Sequence, residues 1–241
     1  MNADIIQSAR HLVDVARAQQ LDIRLLGGVA VALHCPESNN PGRSYRDIDA
    51  FIPARTQSKV SKVLTAAGYV ADQEFNLLNG DTRLLFHDPR TQRQIDVFVG
   101  KFAMCHSIPL TIGTDPYTVP IAELLLTKLQ IYELNAKDAY DGCALLSTLH
   151  IGTAPSQQAT RARIAALCGA DWGLWRTFTM NLDRCTAYAK DNQSPDAPTV
   201  MREVAALTTF LAAAPKSLAF KTRALVGDNV RWYELPEEVE R

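Results

Sequence analysis

The sequence predicts an α+β protein, with a mixed sheet flanked by helices and followed by a helical C-terminal half. Three observations carry this. Through about residue 118, apolar residues switch between helical and strand spacing. Two of the strand-type runs, "DIDAFI" and "QIDVFV", each carry an acid among apolar β-formers. From Ile121 onward helical spacing recurs and no run reads as a strand. The expected organisation is an α/β domain over 1–118 and a helical domain over 119–241.

Taken in order, Ile5, Ile6, Leu12, Val13 and Ala16 recur at helical spacing, with Arg10, Asp14 and Arg17 between them, and predict a first helix. "DIRLLGG" is a short strand ended by glycine, and "VAVALHC" a helix of small residues. "PESNNPGRSY" is dense in Pro, Asn, Ser and Gly and reads as a loop. "DIDAFIP" is a strand, followed by a helix over "TQSKVSKVLTAAG" that Thr56 caps and Gly68 ends. "TRLLFHD" and "RQIDVFVG" are strands joined by the turn-forming Asp88-Pro89-Arg90-Thr91. "PIAELLLTKLQIYEL" is an apolar helix with Pro120 near its first turn, and "AKDAYDGCALLSTLH" is another. Helices are also expected over "SQQATRARIAALCG", "DWGLWRTFTMNLDRCTAYAK", "TVMREVAALTTFLAAA" and "SLAFKTRALVG".

The 241 residues are 47% hydrophobic and 21% charged, an ordinary globular balance with enough apolar surface for a core. Net charge is −1, so no global basic field advertises nucleic acid. "TRARIAALCG" and "KSLAFKTRALVGDNVRW" are locally basic, which suits either a phosphate backbone or a solvated helix face. The 5 cysteines are scattered without a CxxC pair, as expected of reduced thiols in a cytoplasmic protein. The N-terminus reads as an amphipathic helix rather than a signal peptide, and no window is long and apolar enough for a membrane span.

In a strand, alternate residues share a face, so Asp47 and Asp49 project together while Ile48 faces the other way. Two carboxylates so placed raise each other's pKa unless a positive charge lies between them, and a divalent cation is the economical solution. Magnesium, or manganese in its place, takes hard oxygen ligands, commonly one or two carboxylates with phosphates and water. If "QIDVFV" lies beside "DIDAFI", Asp96 completes a three-carboxylate cluster suited to metal-assisted phosphoryl chemistry, as third ligand or general base. Against this stands the solvated strand edge or turn, the commoner source of a lone DxD; the third acid in an apolar strand and the Gly-Gly upstream favour function. Gly27-Gly28, between a strand and a helix, suits phosphate oxygens or a purely steric turn, and fits neither the Walker nor the GxGxxG pattern. Arg43 and Arg46 stand just before the DxD, where guanidinium groups either meet a triphosphate or remain loop charges. Lys128 interrupts an apolar helix, as a functional cation or a snorkelling side chain. The His34-Cys35 and Cys105-His106 dipeptides lack zinc-ligand spacing. Trp172, Trp175 and Phe178 recur at helical spacing and read as core.

As an ordered set, Gly27-Gly28, Arg43 to Asp49 and Ile95 to Phe98 resemble the nucleotidyltransferase superfamily that shares the DNA polymerase beta palm. More narrowly, with "LLLTKLQIYELNAKDAYD" supplying Lys128, Lys137, Asp138 and Asp141, the chain resembles the AbiEii/AbiGii toxin-type (MenT-like) nucleotidyltransferases. The match runs from about Leu25 to Leu146. One departure is the spacing: 18 residues separate Gly28 from Asp47, several more than the family's usual number, with the excess in "CPESNNPGRSY". The resemblance implies Asp47, Asp49 and Asp96 as magnesium ligands, with Asp96 alternatively the base. It also implies Gly27, Gly28, Arg43, Arg46 and Lys128 as nucleotide-binding residues, and Asp141 as a further catalytic acid.

The expected activity is transfer of a nucleoside monophosphate from an NTP, such as ATP, to an acceptor hydroxyl, with release of pyrophosphate. The acceptor implied by toxin-type relatives is a tRNA 3′ end; a small molecule or a protein side chain are the alternatives, and a cognate antitoxin is an implied partner. A nucleotide-binding regulatory protein without turnover is the competing reading. So is an unrelated α/β domain with structural acids.

Overall fold

A computed structural model describes residues 2–35, 43–149 and 154–235. The chain divides into two compact units, Met1–Ala103 with Pro109–Pro120, and Met104–Ile108 with Ile121–Arg241.

In the first unit the elements run α1 (Asn2–Ala18), β1 (Arg24–Leu25), α2 (Gly27–His34), β2 (Ile48–Ile52), α3 (Gln57–Ala66), β3 (Val70–Ala71), α4 (Gln73–Asn79), β4 (Arg83–Asp88) and β5 (Arg93–Val99). The short strand β6 (Lys101–Ala103) follows, and β7 (Ser107–Pro109) comes next in the chain, with Ser107 and Ile108 in the second unit. The described strands β1 to β5 form one sheet in the order β1-β2-β5-β4-β3. It is mixed, as expected: β2 and β5 run parallel at its centre, and the other neighbours are antiparallel. Ile48, Ala50 and Ile52 of β2 are buried, as are Ile95, Val97 and Val99 of β5. With these apolar residues buried, the acids between them are held on a rigid frame.

Several elements depart from the expectation for local reasons. Thr56 does not cap α3. Its hydroxyl donates instead to the Pro53 carbonyl at 2.7 Å and closes the 3-10 turn Ala54–Thr56 that precedes the helix. Gly68 does follow the helix end, at φ +91°, a left-handed conformation that suits glycine. The unread segment "YVADQEFNLLNG" forms β3 and α4, and Asp72 caps α4 by accepting from the Phe75 amide at 3.0 Å. Between β4 and β5, Asp88 accepts at one carboxylate oxygen from the Arg90 amide and from Arg90 Nε, which fixes the turn and hence the register Asp88↔Arg93.

The second unit is helical: α5 (Ile121–Leu129), α6 (Ala136–Leu149), α7 (Pro155–Ala170), α8 (Trp172–Asp191), α9 (Ala197–Ala213) and α10 (Leu218–Val226). Helix α5 stops at Leu129, earlier than its apolar pattern predicts. The Asn181 amide of α8 donates to the Leu129 and Ile131 carbonyls at 2.8 and 2.7 Å, supplying the bonds that further helix would have made. Asn135 starts α6. Its side chain accepts from the Asp138 amide at 3.0 Å and donates to the Asp138 carboxylate at 2.8 Å. Trp172 and Phe178 are core residues. No described helix is long and apolar enough to cross a membrane.

The Cys-His dipeptides have structural partners. His34 Nε2 lies 2.7 Å from Thr118 Oγ1, and the Cys105 sulfur accepts from the Tyr132 amide at 3.4 Å. His106 is buried with Nε2 2.8 Å from Thr177 Oγ1, which also accepts from Trp232 Nε1 at 3.0 Å. Burial holds the His106 imidazole below its ordinary value of 6.5, against the opposing pull of Asp171 and Glu234. A depressed folded value means that stability present above the unfolded value is lost as pH falls through the folded one. Thermal unfolding is therefore expected to shift downward between pH 7 and pH 5, and His106→Gln should flatten that slope. An identical slope in the variant would show that His106 is not its source.

Candidate active site

The register of the central strands decides the geometry. Asp49 of β2 and Asp96 of β5 are Cα partners in the parallel pair, so their side chains lie side by side on one face of the sheet. Asp47 immediately precedes β2. It and Asp49 are half-buried, while Ile48 and Ala50 are buried, which is the alternation read from "DIDAFI".

Gly27 opens α2 with φ +62°. A Cβ at this position would collide with the Asp49 carboxylate, so the glycine is required both by its backbone angle and by close approach. Leu26, the N-cap, provides no side-chain cap. The helix thus begins against Asp49, with its positive dipole end at the acid. Gly28 is packed by the end of the long loop: a Cβ there would fall 2.6 Å from Arg43 Nη2 and 2.9 Å from the Tyr45 ring. The Arg43 guanidinium lies over that ring at 4.7 Å and donates to the Ser44 carbonyl. Arg46 is exposed. Residues 36–42 of the loop lie outside the described residues.

Gly27→Ala is accordingly expected to displace the Asp49 carboxylate and to cost more than Gly28→Ala, where the backbone angle is not left-handed and the Arg43 end and the Tyr45 ring have to shift. Nucleotide binding and melting temperature of the two variants check this ranking, and equal effects would contradict it.

Asp96 is 3% exposed, and its carboxylate has partners that the sequence reading did not supply. Arg83 of β4 donates to Oδ1 from Nε at 2.8 Å and approaches it with Nη2 at 2.6 Å, while Gln94 donates to Oδ2 at 2.8 Å. The hairpin register places Arg83 opposite Phe98, two residues along from Asp96 and on the same face. That register was available from the turn at 88–93, so the pattern of the two strands was the signal that pointed to Arg83.

Among the described residues no three His, Cys, Asp or Glu side chains converge as a metal-binding group. Asp96 stands in register beside Asp49 and is bonded to Arg83 and Gln94. The pair Asp47 and Asp49 does fit a hard divalent cation in the chemistry of its donors, and Gly27 allows the close approach that a site at Asp49 requires.

In the helical unit, Lys128 of α5 meets two acids of α6, Asp138 and Asp141, each at 2.9 Å. Asp141 is fully buried, and the Lys128 side chain is 12% exposed. Burial opposes the charged form of Lys128, but Asp141 and then Asp138 outweigh it and hold the ammonium above its ordinary value. The motif "K…KD..D" is thus a built ion triad in which Lys128 stays charged. Asp138 has a double part, as partner of Asn135 at the helix start and as partner of Lys128. Glu123, on the same helix as Lys128, is bonded to Arg163 at 2.9 Å.

No family model and no curated protein sequence matches the chain. Among solved structures, the chain is similar to the antibiotic-resistance factor ANT(2'')-Ia in solution, at 14% identity and TM-score 0.46, over 69% of this chain and 96% of that one. It is similar to an antigenic nucleotidyltransferase-like protein from Paracoccidioides brasiliensis, at 14% identity and TM-score 0.36, over 91% and 95%. It is also similar to the STING-associated CdnE c-di-GMP synthase from Capnocytophaga granulosa, at 7% identity and TM-score 0.29, over 88% and 80%. All three TM-scores lie below 0.5, so a functional reading has to rest on the residues of the site.

Proposed function

We propose that this protein is a divalent-cation-dependent nucleotidyltransferase, which moves a nucleoside monophosphate from an NTP to an acceptor hydroxyl and releases pyrophosphate. The observation that carries the reading is the approach of Gly27, at the start of α2, to the carboxylate of Asp49, itself in register with Asp96 on the adjacent parallel strand. An acid pair beside a glycine-opened helix start brings cation ligands and phosphate-binding amides to one place.

In this reading Asp47 and Asp49 hold magnesium or manganese. When bound, the ion neutralises triphosphate charge and lowers the pKa of the attacking hydroxyl. The chain's own groups do the rest. The backbone amides at Gly27 and Gly28 face phosphate oxygens, and Arg43, held against Tyr45, offers a fork to the triphosphate. Arg46, exposed, supplies a further charge near the entering nucleotide. Asp96 stands beside Asp49 and is held in place by Arg83. In the helical unit, Asp141 secures the Lys128 ammonium, and an anionic ligand bound there would replace the more exposed Asp138.

The test is incubation with α-labelled NTPs and a cell extract separated afterwards into RNA, protein and small-molecule pools. Label in one pool is the expected result and identifies the acceptor class, with a tRNA 3′ end, a protein side chain or a small molecule as the outcomes. Measurable NTP binding with no label in any pool would instead support a nucleotide-binding regulator.

A further inference from the structure

Exposed large apolar side chains are not scattered along this chain. Among the described residues they fall in two stretches, Val70 with Leu77 and Leu78, and Leu218 to Leu235, with Met201 the exception. Single exposed apolar residues are ordinary, whereas clustered ones mark contact surfaces. Leu77 and Leu78 are the sharper case. Helix α4 is pinned to the sheet by Asn76, whose side chain donates to the Leu85 carbonyl at 3.0 Å and accepts from the Leu85 amide at 2.6 Å. The next two residues are therefore presented on a fixed helix, at 86% and 76% exposure. Glu74, three and four residues before them, shares their helix face and is exposed, as is Asp81. From Tyr69 to Thr82 the chain holds the acids Asp72, Glu74 and Asp81 and no basic residue.

The helical unit offers the complement. A groove of about 530 Å³ runs between α7 and α9, lined by apolar side chains that include Ala162, Ala166, Phe210, Ala213 and Pro215. Its rim is basic. The Arg161 guanidinium lies 5.1 Å from the Phe210 ring centroid, and Lys216, next to Pro215, donates to the Ala214 carbonyl at 2.7 Å. Helix α7 carries Arg161 and Arg163 and no acid. The lining discriminates between occupants. A phosphate backbone needs donors along its track, which alanine, phenylalanine and proline side chains do not supply. A leucine pair needs a dry apolar seat, with cations at the rim for the acids that flank it. Two α4 patches meeting about a two-fold axis would bring acid against acid, and two grooves would bring cation against cation.

We propose that copies of this chain associate head to tail, with Leu77 and Leu78 of one copy seated in the α7–α9 groove of the next. Such a contact uses different surfaces on the two partners and is not satisfied in a dimer. Each dimer keeps one open groove and one uncovered leucine pair, so assembly continues into rings or filaments. The patch is small, which places the contact among weak, concentration-dependent interfaces. Charge at its rim makes it weaken with added salt. None of this depends on the nucleotidyltransferase reading.

The experiment is sedimentation equilibrium of the full chain from about 5 to 500 µM, a range that spans weak interfaces. Wild type is compared with L77D/L78D, which spoils the leucine pair, and with A166E, which puts an acid in the groove. All three positions are exposed, so the core is untouched, and cooperative thermal unfolding checks each variant. If A166E does not fold, A213E alters the groove from α9. Wild-type mass should rise past that of a dimer with concentration, and each variant alone should associate at least about tenfold more weakly. An equimolar mixture of L77D/L78D and A166E should form dimers and stop there, because each supplies the one surface that the other lacks. A wild type that stays monomeric throughout, a groove variant that associates like wild type, or a mixture no larger than its parts would each overturn the proposal. So would a monomeric wild type that binds a single-stranded oligonucleotide through a site lost in A166E, an outcome that gives the groove to nucleic acid.

Discussion

Asp49→Asn is expected to lower divalent-dependent nucleotide turnover by on the order of 10³-fold while leaving the fold intact. The side chain keeps its shape against Gly27, and relief of charge beside Asp96 offsets the loss of a carboxylate at the start of α2, so the melting temperature should change little. Loss of turnover with retained stability separates a cation ligand from a structural acid. Comparing turnover and thermal unfolding of the variant checks the assignment, and unchanged turnover would contradict it.

The second large effect is on stability. Lys128→Met removes the cation between Asp138 and Asp141 and leaves Asp141, which has no exposed surface, without its counter-charge. Breaking a buried pair from one side costs roughly 3–5 kcal/mol, whereas replacing both partners by apolar groups is often neutral. Urea denaturation should show that loss in Lys128→Met and a partial recovery in Lys128→Met with Asp141→Leu. The sign of the pH dependence is fixed by the raised folded value of Lys128. The stabilisation is fully present below its ordinary value of 10.5 and fades as pH rises through the higher folded one. A wild-type midpoint in the single variant would show that the triad does not hold α5 to α6.

Much of the frame was legible in the sequence, because it is written in periodicity. The helical spacing of the C-terminal half and the two acid-bearing strands needed nothing beyond local pattern. The resemblance to polymerase beta-type nucleotidyltransferases rested on the order of Gly27-Gly28, Asp47, Asp49 and Asp96. What the sequence reading missed depends on partners distant along the chain. The end of α5 is set by Asn181, some fifty residues on, whose amide takes the carbonyls that its apolar pattern assigned to more helix. Helix α4 was missed because Leu77 and Leu78 are 86% and 76% exposed, so its apolar residues do not mark a buried face. Segment 104–108 joins the helical unit through bonds of His106 to Gln130 and Thr177. Arg83 was passed over because a basic residue at a strand start looks like any solvated charge until the hairpin register sets it diagonally across from Asp96. The long loop before the DxD is described only at its end, where Arg43 and Tyr45 pack over Gly28.

The central claim is that the group transferred is a nucleoside monophosphate. Parallel reactions with an NTP labelled at the α-phosphate and at the γ-phosphate, supplied with Mg²⁺ or Mn²⁺ and the acceptor pool, test it most directly. The account predicts α-label in the acceptor and γ-label in released pyrophosphate, with both lost in Asp49→Asn. Transfer of the γ-label to the acceptor, or its release as inorganic phosphate with no α-label transferred, would contradict it.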